Sequence, residues 1–180
     1  MSRPLIVFAL SLCMMVGVAQ TSALSAAPGA SDYAPRQQDE RIRPDDAHAI
    51  MDMIARMNGA IDTNDYPLYA SFYSEDGVID SGFGPPVSGR PAIIASLEAS
   101  APFITNKRHA AANIVLDRRG DAIVATYYLT VFERQTALAI AGTALIVDEF
   151  RRVGRDWRVA RHTTRMDPAT IAAMTALQRR

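Results

Sequence analysis

The stretch NKRHAAANIVLDRRGD, Asn106 to Asp121, carries the reading of the fold. Ile114, Val115 and Leu116 form the aliphatic centre of a strand, and Asp117-Arg118-Arg119-Gly120-Asp121 has the composition of a hairpin turn. Side chains alternate along a strand, so His109, Ala111, Asn113 and Val115 are expected on one face. Arg108, Ala110, Ala112, Ile114 and Leu116 fall on the other. Both faces are mostly small or apolar, as in a strand covered on two sides. A histidine and an asparagine on such a face need a reason.

Further strands follow, at about Ala122 to Phe132, Ala139 to Arg152 and Trp157 to Thr164, with turns at ERQTAL and VGRD. Before the quoted stretch the pattern is helical. Pro44 suits the first helical position and Asp45 and Asp46 the first turn. Ile50, Ile54, Met57 and Ile61 then recur as one apolar stripe that ends near Asp62-Thr63-Asn64. Asn64 or Asp65 caps a short second helix, YPLYASFY. VID begins a strand, SGFGPPVSG is an irregular loop, and Pro91 opens a third helix, AIIASLEAS. Helices first and long antiparallel strands after them indicate an α+β fold, with helices covering one face of a curved sheet.

The chain has 180 residues, enough for one ordinary domain with flanking tails. It is 49% hydrophobic and 21% charged, the composition of a globular protein. Nineteen basic residues balance nineteen acidic ones, which gives no support to nucleic-acid binding. Only Lys107 among the basic residues is a lysine.

Residues 1–25 have the layout of a secretory signal peptide: Arg3, the fourteen-residue apolar run Leu5 to Val18, then small residues. The run is short for a membrane span, so no stable span is expected after cleavage. Residues 26–43, rich in Pro, Ser, Gln and charge, are expected to be a flexible linker. Residues 44–166 form the domain, and 167–180 a C-terminal helical tail. Cleavage would remove Cys13, the only cysteine, and with it thiol nucleophiles, disulfides and cysteine-ligated zinc.

The segments AIDTNDYPLYASFYSEDGVID, SGRPAI, RHAAANIVLDRRGDAIVATYYLTVF and EFRRVGRDWRVAR resemble the SnoaL-like proteins of the nuclear-transport-factor-2-like superfamily, over about Pro44 to Met166. The resemblance implies a cone-shaped α+β barrel whose curved, mainly antiparallel sheet wraps around helices and a deep apolar pocket. Relatives of this kind include polyketide cyclases, scytalone dehydratase, a dehydrochlorinase and ketosteroid isomerases, alongside pure binding proteins. In the dehydratase and dehydrochlorinase branch an Asp at the end of the first helix pairs with a His on the strand after the third. Asp62 and His109 stand at those positions, and Asn113 matches the dehydrochlorinase pattern. Met57 stands where the branch often has Tyr or Lys. A cationic group is implied on the last strand, where Arg161, His162 and Arg165 lie.

A histidine titrates near neutrality, and a carboxylate on one ring nitrogen fixes its tautomer and stabilises the imidazolium. Asp62 and His109 would then remove a proton beside a leaving group or carbonyl, giving elimination or isomerisation without a cofactor. Tyr66, Tyr69 and Tyr127 are candidate substrate contacts, since a tyrosine hydroxyl in a pocket can polarise a carbonyl. Asn113 and His162 complete the candidate set. No histidine spacing demands a metal. Two readings stand: a cofactor-independent lyase or isomerase acting on a small apolar ring compound, or a binding protein using the same pocket. The alternation in VATYYLTVF also offers an outer sheet face for a homodimer.

Overall fold

The computed structural model describes residues 41–82, 84–135 and 139–178. The expected signal peptide, and the linker up to residue 40, lie outside the described residues. The described order is α1 (Pro44–Asp62), α2 (Tyr66–Ser71), β1 (Tyr73–Asp80), β2 (Val87–Ser88), α3 (Arg90–Ile104), β3 (Lys107–Arg119), β4 (Ala122–Glu133), β5 (Ile140–Val153), β6 (Asp156–Met166) and α4 (Pro168–Gln178). One six-stranded sheet runs β2-β1-β6-β5-β4-β3. It is curved and unclosed, with β2 and β3 as its edges. Among the described residues only the β1–β6 pairing is parallel.

The helical segments follow local chemistry. Pro44 opens α1 with Asp45 and Asp46 behind it, and Asp65 caps α2 by accepting the Leu68 N–H at 3.0 Å. The stripe of Ile50, Ile54, Met57 and Ile61 is buried against the inward side of the sheet, where Ile123, Ala125, Ile146, Phe150 and Val159 complete the core. Asp46 ties the start of α1 to the far end of the sheet: its carboxylate accepts the Trp157 indole N–H at 3.1 Å and pairs with Arg152.

Three elements differ from the sequence expectation. The α3 helix runs on through Pro102 to Ile104, since a proline late in a helix removes only one hydrogen bond. Tyr73, expected at the end of the second helix, begins β1. The strand β3 continues through Arg119, so its hairpin turn is only Gly120-Asp121. Gly120 sits at φ 61, the left-handed value such two-residue turns require. The tail helix is tethered: Thr170 Oγ1 accepts the Thr143 N–H at 2.8 Å and Asp167 accepts the Thr143 hydroxyl at 2.5 Å.

Two β-bulges decide which side chains face inward. In β3, Ala112 pairs with Tyr128 and Val115 with Thr126, so Asn113 and Ile114 together oppose Tyr127 alone. In β6, Val159 pairs with Phe150 and Arg161 with Glu149, which leaves Ala160 as the extra residue. Each bulge reverses the alternation beyond it.

Candidate active site

Asp62 is the last residue of α1, and His109 the third of β3. The helix end abuts the sheet's edge strand, where alternate main-chain N–H groups point away from β4. The His109 N–H points in this way and donates to Asp62 Oδ1 at 2.9 Å. The ring of the same residue brings Nδ1 to the same oxygen at 2.8 Å. A carboxylate only accepts, so a neutral imidazole held here carries its proton on Nδ1 and leaves a lone pair on Nε2. Among the described residues Nε2 has no hydrogen-bond partner, and no buried side-chain nitrogen or oxygen lacks one. Nε2 is therefore the atom of the pair open to solvent or to a ligand, although the side chain is only 11% exposed. Arg108 stands 3.8 Å from Asp62 Oδ2, from an exposed position.

The arrangement can hold one proton acceptor in a fixed direction, which is the geometry of an oriented general base. Beside it, Lys107 and Glu133 pair at 2.5 Å, and the ammonium holds the Glu133 carboxyl below its ordinary range, helped by the Gln135 and Arg134 N–H groups. These residues border a cleft of about 480 Å³ that also meets Ala101, Thr105 and Asn106. Its wall begins two residues before His109.

The other expected site residues sit elsewhere. Asn113 is not on the His109 face. It is the bulge residue, exposed, at φ 55, and the inward sequence of β3 is His109, Ala111, Ile114 and Leu116. The side-chain period of two is broken there, and asparagine tolerates the left-handed backbone better than most residues. Asn113 thus has a backbone reason for its identity and does not share the face of the His109 ring.

Tyr66, Tyr69 and Tyr127 are buried, and each hydroxyl already has a protein partner. Tyr66 donates to Asn64 Oδ1 at 3.3 Å, Tyr73 donates to the Tyr69 hydroxyl at 3.1 Å, and Tyr127 donates to Asp148 Oδ2 at 2.8 Å. Burial drives the Tyr69, Tyr73 and Tyr127 hydroxyls above their ordinary range, and the Asp148 charge adds to this. They remain protonated at neutral pH.

His162 belongs to a second Asp–His pair. The Ala160 bulge turns it to the same side as Trp157 and Val159, where Nδ1 meets Asp148 Oδ1 at 2.7 Å and Nε2 meets Thr164 Oγ1 at 3.1 Å. Asp148 is fully buried, and its two oxygens are taken by His162 and Tyr127. Both nitrogens of His162 are therefore occupied, unlike those of His109. The two pairs are also far apart. His109 pairs with Val131 and Asp148 with Ala125, six residues along β4, about 20 Å of strand. A small substrate at His109 does not touch His162.

Asp148 was not singled out from the sequence. The signal was present: in β5 it alternates with Ile146 and Phe150, a lone carboxylate in an apolar phase. Among the described residues no group of three His, Cys, Asp or Glu side chains is placed to hold a metal ion.

A model of the SnoaL-like domain matches residues 43–163. Solved structures share the architecture. A protein of unknown function with a cystatin-like fold from Nostoc punctiforme is 25% identical, with a TM-score of 0.68 over 72% of this chain and 97% of its own. Aln2 from a Streptomyces species is 22% identical, with a TM-score of 0.65 over 74% of this chain and 99% of its own. An NTF2-like protein with a cystatin-like fold from Novosphingobium aromaticivorans is 22% identical, with a TM-score of 0.64 over 74% of this chain and 90% of its own. No curated protein matches the chain.

Proposed function

The chain belongs to the SnoaL-like family of nuclear-transport-factor-2-like fold, and from that premise we propose that it is a cofactor-independent lyase or isomerase with His109 as general base and Asp62 as its orienting partner. One observation carries this reading: Asp62 holds Nδ1 of His109 at 2.8 Å while Nε2 remains without a partner among the described residues. In the proposed step Nε2 takes a proton from a carbon beside a carbonyl or a leaving group. The C–H electron pair then forms the new double bond and expels the leaving group, or forms an enolate that is reprotonated elsewhere. Asp62 stabilises the imidazolium that forms. A small, mostly apolar ring compound suits the apolar inward face. The reading draws on the resemblance to the dehydratase and dehydrochlorinase branch, and that analogy rests on fold and on this pair alone.

A second reading follows from the other Asp62 bond. Because the same oxygen also accepts the His109 main-chain N–H, the pair is equally suited to clasp α1 to β3 in a binding protein without turnover. NMR titration of the histidine ring nitrogens in the wild type and in Asp62→Asn separates the readings. The catalytic reading expects Nδ1–H in the neutral wild-type ring and a changed tautomer ratio in Asp62→Asn. It also expects turnover of a cyclic elimination substrate to fall about 10²–10⁴-fold in His109→Ala while affinity is kept. Ligand binding without turnover in the wild type would leave the binding protein.

The reading includes export, supported by Arg3, the apolar run Leu5 to Val18 and the small residues after it. Among the described residues no helix is long and apolar enough to cross a membrane. It also includes a homodimer through the outer sheet face, where Val115, Tyr128 and Phe132 stay exposed. Light scattering of the wild type and of Tyr128→Glu tests the dimer.

A further inference from the structure

At the end of α1 opposite Asp62 lies a cleft of about 990 Å³. Its wall brings together Arg43 before the helix, Arg118 near the end of β3, and Arg151, Arg152 and Arg155 around the β5–β6 turn, beside Trp157. Asp46 and Asp62 are sixteen residues apart on α1, about 24 Å along its axis, so this cleft is separate from the His109 site.

Five guanidinium groups from three chain segments meet here, against two carboxylates on the wall, Asp46 and Asp121. Asp46 is buried and organises the place. It accepts the Trp157 indole N–H, pairs with Arg152, and stands 3.9 Å from Arg118. The Arg152 guanidinium lies over the Trp157 ring, 4.6 Å from its centroid, and donates to the Arg155 carbonyl at 2.6 Å. Arg151 pairs with Asp76, and Arg43 with Asp45 at 3.8 Å, both at exposed positions where such pairs hold weakly. Counting Asp45 and Asp76 as well, guanidinium is still in excess. Among the described residues no ion pair engages the Arg155 guanidinium, which is presented on the Gly154-Arg155 turn.

We propose that this cleft binds a small oxyanion of two or more negative charges, of the phosphate or pyrophosphate class. Guanidinium forks match the oxygen geometry of such groups, and charge-assisted hydrogen bonds from several arginines add. Lysine, a point charge, would not supply that geometry, and the chain's basic residues are arginine with the single exception of Lys107. Asp46 fixes Arg152 and Arg118 in place, so less side-chain freedom is lost when an anion arrives.

Trp157 is the only tryptophan and sits against Arg152, so its fluorescence reports on the cleft. The test titrates the protein with sodium pyrophosphate, against sodium chloride at matched ionic strength, by Trp157 fluorescence and by calorimetry. Saturable binding is expected, weakened about tenfold in Arg155→Ala with unchanged circular dichroism. Arg155 is exposed on a turn, and Arg43→Ala provides a second, independent variant. Glycerol phosphate and sedimentation with phosphatidylglycerol vesicles form two further arms. Arg155-dependent binding to the first assigns a free phosphoester, and to the vesicles a lipid headgroup. A response equal to that of sodium chloride, absence of both fluorescence change and heat, or unaltered saturation in both variants overturns the proposal.

Discussion

His109 meets Asp62 twice on one carboxylate oxygen, through its main-chain N–H at 2.9 Å and its ring Nδ1 at 2.8 Å. The two bonds separate a structural role from a chemical one. His109→Ala removes the ring and keeps the N–H contact, whereas Asp62→Ala leaves that N–H without its acceptor. Asp62→Ala should cost about 1–3 kcal/mol of stability, and His109→Ala less than half as much. Urea denaturation of both variants checks this. Equal losses would mean that the ring alone fastens α1 to β3.

Asn113 sits at φ 55 in the β3 bulge and is exposed. Its requirement is therefore a backbone one. Asn113→Gly should stay within about 0.5 kcal/mol of the wild type, while Asn113→Val, β-branched in a left-handed conformation, should lose about 1–3 kcal/mol. Neither should change ligand affinity. A loss of affinity in Asn113→Gly with stability intact would restore Asn113 as a substrate contact.

The Asp148 carboxylate is fully buried, with His162 on one oxygen and Tyr127 on the other. Removing it leaves two buried polar groups without their acceptor. Asp148→Ala should cost about 3–5 kcal/mol, visible as a lower denaturation midpoint. His162→Ala should act mainly through stability, since it lies about 20 Å of strand from His109. A His162→Ala protein of unchanged stability that lost turnover would contradict the separation of the two pairs.

Burial holds the hydroxyls of Tyr69, Tyr73 and Tyr127 above the ordinary tyrosine value of about 10. The unfolded chain would give up these protons near pH 10 while the folded chain keeps them. Stability from this source is thus complete below about pH 10 and falls as pH rises above it. The phenolate absorbance of these residues should appear together with the loss of circular dichroism. Its full reversible appearance in a folded protein would show that the hydroxyls are not sequestered.

Much of this was readable in the residues. The apolar stripe of α1, the proline and acidic start of that helix, the Asp65 cap and the four long strands are local patterns, and the structure contains each. Asp62 and His109 were legible as a pair through resemblance, and the structure brings them within 2.8 Å. Tyr127, expected as an inward-facing tyrosine of a pocket, is buried with its hydroxyl on Asp148. Asn113, His162 and Asp148 were not legible in the same way. Strict alternation assigns faces only while the period of two is unbroken, and a bulge depends on pairing with the neighbouring strand, which a single segment does not encode.

Composition, periodicity and turn chemistry thus determined the elements, their order and the α+β class, because these depend on a few neighbouring residues at a time. The tertiary structure alone decided which polar side chains share a face and which partners they meet. Bulges at Asn113 and Ala160 redirect whole strand segments. The same two residue types, Asp and His, then give a saturated buried pair at Asp148–His162 and a pair with one open nitrogen at Asp62–His109. What separates them is how many partners the fold places within hydrogen-bond distance of each ring nitrogen.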